Sequence, residues 1–215
     1  MNLTRLQELI GGIYDLGVGY DVYDFLVTDR ACLPQSVRAR RSAEDLIVAE
    51  AGDEMAVSLY LDPGLLERLA RADPMVRLDE HNVADWWTAL EGLSHFVYLA
   101  WNCAYDRPVS LLELEMQAEV DKYVASFWLL RAQCPRHFPA ELRRLLFART
   151  RIDPELAGER AALYRQASGY AERFCRRLEH LLHGSYGTEA AVLAELRRFY
   201  RYSQARKRLH IERLA

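Results

Sequence analysis

Apolar residues recur at helical spacing along most of this chain and alternate with polar ones in one short stretch near its start. Leu6, Ile10 and Ile13 mark a first helix over residues 4–18, with Thr4 and Gln7 spaced as a capping box. The "GVG" beyond it has no strand before it and no GK[ST] after it, so it reads as a helix exit rather than a phosphate loop. "YDFLVTD" is strand-like. "EDLIVAEAGDEMAVSLYLD" sets two β-branched runs around "AGDE", the turn chemistry of a hairpin. "PGLLERLARADP" then opens a short helix at Pro63.

From there the spacing is helical. Asn82 with Asp85 three residues on caps a helix over 83–104, and Pro108 breaks it. Ser110 and Glu113 form a capping box for a helix over 111–134 that stops before Pro135, which makes 83–134 an antiparallel helical hairpin. A short basic helix follows from Pro139 to Arg149. A long one from Pro154 to His183 carries the stripe Leu156, Leu163, Ala167, Tyr170, Phe174, Leu178 and Leu181, with Gly184 as its stop. Thr188 caps 189–202, and Ser203 opens a last basic helix. The expected fold is mainly α (α+β): a helical bundle centred on the hairpin, with a small N-terminal antiparallel β-hairpin or sheet. One domain is expected over 1–215, mixed α/β over 1–80 and a helical bundle over 81–215.

The hairpin carries the most unusual pattern. In its first arm Thr88, Glu91, His95, Tyr98 and Asn102 share one sector, the polar side of an amphipathic helix. In its second arm Glu113, Gln117 and Asp121 line one side and read as the solvated face. Glu115, Glu119, Lys122 and Ser126 form a second polar stripe on the opposite side, flanked by leucines, Met116 and Tyr123. Polar residues inside an apolar arc are expected to be partly buried, and buried charge must be paired, neutralised or metal-bound. With the loop centred near Asp106, the hairpin can set Glu91 and His95 opposite Glu115, Glu119 and Lys122. Three outcomes follow: a structural ion-pair network, a stripe left to solvent or an oligomer interface, or a site for Fe, Mn or Zn. Ferritin-like di-iron bundles use Glu-x-x-His. This chain has no Glu-x-x-His, and a lysine in the site opposes a cation there.

Composition sharpens the class only in part. Apolar residues make up 51% and charged ones 27%, ordinary for a globular protein. No apolar run approaches the roughly 18–20 residues needed to cross a bilayer. "MNLTRLQELIGG" has neither a basic leader nor a cleavable apolar stretch, so no signal peptide is expected. Cys32, Cys103, Cys134 and Cys175 are scattered without a CxxC, which suits a cytoplasmic protein with reduced thiols. The net charge of −3 hides a polarity: residues 1–130 carry 10 Lys+Arg against 22 Asp+Glu, and 131–215 carry 18 against 9. The two halves are expected to complement each other, within the chain or across a dimer.

Two further constellations are weaker. Glu179, His180 and His183 share a helix end but lie opposite the apolar stripe, where solvent is the expected neighbour. Arg197, Arg198, Arg201, Arg206, Lys207 and Arg208 interleave with Phe199, Tyr200 and Tyr202. That is a possible nucleic-acid contact, though the same aromatics suit the buried stripe of terminal helices. Trp86, Trp87, Trp101 and Trp128 read as core or interface anchors. No GxSxG, SxxK or Walker loop is present, so nucleophilic catalysis finds no support. The leading expectation is a non-enzymatic cytosolic accessory protein with a protein partner or a homo-oligomeric state. The alternatives are a metal-binding enzyme or sensor using Glu91, His95, Glu115 and Glu119, and a nucleic-acid-binding protein.

Overall fold

A computed structural model describes residues 1–17, 19–40, 42–51, 54–135, 138–149, 158–183 and 188–213. The chain is mainly α with a small sheet near its N-terminus. Helix α1 (Leu3–Tyr14) is followed by strand β1 (Leu26–Val27), the short helix α2 (Gln35–Arg38), strands β2 (Glu44–Ala51) and β3 (Glu54–Leu61), and helix α3 (Pro63–Arg71). Then come α4 (Val83–Cys103), α5 (Leu111–Gln133), α6 (Leu142–Arg149), α7 (Gly158–His183), α8 (Glu189–Tyr200) and α9 (Gln204–Glu212). Among the described residues no helix is long and apolar enough to cross a membrane. The expected turn at Gly52 and Asp53, the helix start at Pro154 with Leu156, and the stop at Gly184 lie outside the described residues.

Local chemistry sets most boundaries. The Ser110 hydroxyl accepts from the Glu113 amide while the Glu113 side chain accepts from the Ser110 amide, the reciprocal cap that starts α5. Asp62 caps α3 with Pro63 at its first position, and Thr188 caps α8. The first helix departs from expectation. Asn2, not Thr4, is its cap, and Gln7 instead accepts from the Val22 amide and donates to the Tyr20 carbonyl, tying the following segment down. That helix ends at Tyr14 because Asp15 turns left-handed, with φ 56°. Asn82 stands at the start of α4 but spends its side chain on Asp79 N–H and the carbonyls of Ala72 and Arg77.

The sheet has the order β1-β3-β2. The β2/β3 hairpin is antiparallel as expected, whereas β1 pairs with β3 in parallel, so the sheet is mixed. Alternation sorts its faces. Leu59 and Leu61 face α4, and Tyr60 faces a small cluster with Val37 and Leu33 around α2. Behind the sheet the layers run α4, α5, α7, with α1 and α8 closing one side. The main apolar cluster extends from Leu3 to Ile211.

Helix α5 is the innermost layer, and this overturns the expected solvated face. Glu113, Gln117 and Asp121 are all buried. Asp121 accepts from the hydroxyls of Tyr14 and Ser94, each at 2.5 Å, and from Gln117 Nε2 at 2.8 Å. Lys207 of α9, also fully buried, donates to Gln117 Oε1 at 2.7 Å and to the Tyr98 hydroxyl at 2.9 Å, with its ammonium over the Tyr98 ring. Burial pushes the Lys207 amine down to about 7, against the pull of Glu113 and Asp121. Between pH 7 and the ordinary lysine range, unfolding therefore takes up a proton, and stability is expected to rise with pH. Denaturation of wild type and Lys207→Met at pH 7 and pH 9 should show that rise in the wild type and a smaller one in the variant.

Candidate functional site

The opposite face of α5 meets α4 as the hairpin geometry requires. Lys122 Nζ lies 2.6 Å from Glu91 Oε2 and 3.0 Å from Glu119 Oε1, and His95 Nε2 lies 3.7 Å from Glu115 Oε2. The five hairpin residues expected to converge are thus brought together. His95, Glu115 and Lys122 are buried, and the Glu91 side chain is 26% exposed, so the cluster reaches solvent at its Glu91 edge. One ligand atom each from Glu91, His95 and Glu115 lie within 4.8 Å of one another.

A sixth residue escaped the sequence reading. Glu44, at the start of β2, sits on the sheet face that holds Leu59 and Leu61. Its carboxylate reaches α4 over Gly92, where a Cβ would stand 3.0 Å from Glu44 Oε2 and 3.0 Å from Leu59 Cδ1. The missing side chain at 92 is what lets sheet and helix approach closely enough. The signal in the sequence was faint: Glu44 shares its strand face with Leu46 and Val48, an acid heading an apolar row.

Burial and mutual charge shift the protonation of Glu44, Glu91 and Glu115. Burial, with the charges of Glu91 and Glu115 added, raises Glu44 well above the usual carboxylate range. Burial and Glu91 push Glu115 up to about 8, although the Tyr164 hydroxyl and Lys122 pull the other way. For Glu91 burial is outweighed by Lys122, and its pKa is held low. Burial also lowers His95, favouring the neutral imidazole, while Glu91 opposes it. Lys122 is held charged by Glu119 and Glu91 against the cost of its burial. Several atoms in this cluster find no hydrogen-bond partner: His95 Nε2, Glu44 Oε2 and Glu119 Oε2.

The basic residues near the C-terminus are not assembled into a free strip. Lys207 is inside the core. Arg197 donates to the carbonyls of Gly12 and Ile13, and Arg201 to those of Tyr14 and Asp15, so both cap the end of α1. Arg208 donates to the Tyr170 hydroxyl, Arg206 stacks over Tyr202, and Arg198 pairs with Glu195. Glu179, expected to face solvent, binds Arg143 at 2.8 Å.

The Glu115 shift carries a pH dependence. Between pH 4.5 and about 8 the folded chain keeps a proton on Glu115 that the unfolded chain has lost, so its stabilising contribution falls as pH rises through that window. Glu115→Gln, which imitates the protonated acid, is expected to fold and to lose less stability between pH 5 and pH 8 than the wild type in urea titrations. An equal loss in both would refute the assignment. Comparison of the chain with protein-family models, with curated proteins and with solved structures finds no match, so what this cluster does is read from its own geometry.

Proposed function

We propose that this protein binds one divalent transition-metal ion between α4 and α5, through His95 Nε2 and carboxylate oxygens of Glu91 and Glu115, and acts as a metal-dependent enzyme. The observation that supports this is His95 Nε2, a buried imidazole nitrogen with no hydrogen-bond partner, 3.7 Å from Glu115 Oε2. Leaving such a group unsatisfied costs roughly 1–3 kcal/mol, and a metal bond removes that cost. Ligand atoms around an ion with bonds of about 2.1 Å stand roughly 3–3.5 Å apart, so the 4.8 Å limit is closed by small side-chain adjustments. One nitrogen and two carboxylates suit Fe, Mn or Zn.

Three protein ligands leave coordination positions open, the pattern of catalytic rather than structural sites. The exposed Glu91 edge gives water a route to them. A metal there would polarise a bound oxygen or acidify a bound water.

Protein purified without chelator is expected to carry close to one equivalent of Fe, Mn or Zn per chain. Added metal at a hundredfold its Kd should stabilise the wild type by about 2.7 kcal/mol. His95→Ala and Glu115→Gln should each remove most of that gain. Absence of both stoichiometric metal and thermal stabilisation would sink the reading.

A second reading, association with a protein partner or another copy, is favoured by where the ion pairs fall. Lys122, Arg68 and Arg40 pair within residues 1–130, while Arg143, Arg176 and Arg198 pair within 131–215. These pairs leave the charge polarity between the two halves in place. Association through it should weaken with salt. Sedimentation giving 24.9 kDa at low ionic strength, and no partner captured from the source cells, would remove it.

A further inference from the structure

Resting on the metal reading, we propose that Lys122 is the resident second cation of this site and restricts it to a single metal. The cluster is richer in carboxylates than one ion needs. Glu44 comes from β2, Glu91 from α4, and Glu115 and Glu119 from α5. Glu91, His95 and Glu115 make one ligand group. Glu91 and Glu119 make a second, and the point they share is filled by Lys122 Nζ, 2.6 Å from one oxygen and 3.0 Å from the other.

The Glu91 carboxylate therefore stands between two positive positions, one beside His95 and one at the ammonium. In bundles that hold two metals, carboxylates from facing helices surround both ions. Here one of the two positions is covalently supplied. Lys122 has 8% of its side chain exposed, so its charge belongs to the cluster rather than to solvent. It carries three donor protons and no lone pair while charged, so it satisfies carboxylates and cannot ligate a metal.

The same arrangement gives Glu119 its role. It holds Lys122 in place through Oε1, and its other oxygen, Oε2, is buried with no partner. Glu44 Oε2 is likewise buried and unpartnered. Without the ammonium, Glu91, Glu119 and these spare oxygens would form an uncompensated group of acids. A divalent ion would neutralise that group better than any side chain left in the cluster.

The test is metal stoichiometry on the full chain with Mn(II), read by metal analysis after gel filtration and by electron paramagnetic resonance. Wild type is expected to hold one Mn(II) per chain with the spectrum of an isolated ion. Lys122→Met, which keeps the length of the side chain and removes its charge, is expected to hold two, with the broadened signal of a coupled pair. Lys122→Gln should behave alike, and circular dichroism reports which variants are folded. Adding Glu119→Gln to Lys122→Met should return the count to one. A wild type that binds two ions, or a folded Lys122 variant that still binds one, overturns the assignment of Lys122 alone. A wild type that binds none overturns the metal reading on which it rests.

Discussion

Helix α5 carries charge on two opposite faces that are both largely withdrawn from water, with only the Glu91 edge of one reaching solvent, so each face must answer its charges with whatever the neighbouring elements supply. Removing one partner of a buried pair costs about 3–5 kcal/mol, so the placement of each partner constrains how the elements pack. On one face Lys122 serves Glu91 and Glu119. On the other, Lys207 arrives from α9, nearly a hundred residues away in sequence, and is held by Gln117 and Tyr98. The placement of α4 and α9 against α5 follows from these demands as much as from apolar area.

The two faces differ in how completely they are satisfied. Around Asp121, Tyr14, Ser94 and Gln117 each donate to the carboxylate, and Gln117 passes the chain of bonds on to Lys207. Apart from the Tyr200 hydroxyl beside it, which has no hydrogen-bond partner among the described residues, its donors and acceptors answer one another as in a structural network, and it fixes the relative position of four helices. Around Glu115 acids outnumber cations, and His95, Glu44 and Glu119 each keep a buried atom without a partner. Unsatisfied groups of this kind are expensive and collect where something else binds. The contrast within one helix is the reason the metal proposal is placed on the Glu115 face, while the Asp121 face is read as architecture.

Burial also explains which sequence signals misled. The wheel of α4 shows a polar sector, yet His95, Tyr98 and Asn102 are buried because that sector turns toward the bundle. Arg197 and Arg201 look like surface charge but serve as caps for a helix at the other end of the chain, since the left-handed turn at Asp15 leaves carbonyls that need donors. Glu44 could be placed on a strand but not beside Glu91, because nothing local states which helix the sheet will cover.

Sequence by itself determined the local elements: the hairpin of α4 and α5, the Ser110–Glu113 and Thr188 caps, and the β2/β3 pairing, and it left the meeting of Glu91 and His95 with Glu115, Glu119 and Lys122 as one of several outcomes that the hairpin allows. All of these follow from periodicity, cap chemistry and the length of one short loop, which act over a few residues. Only the tertiary structure decided that α5 has no wet side, that Lys207 lies in the core, that β1 joins in parallel and that Glu44 completes the acidic cluster. Those outcomes depend on which surfaces meet at long range. Whether a charged residue is solvated or must find a partner is a property of its surroundings, and a helical wheel contains no surroundings.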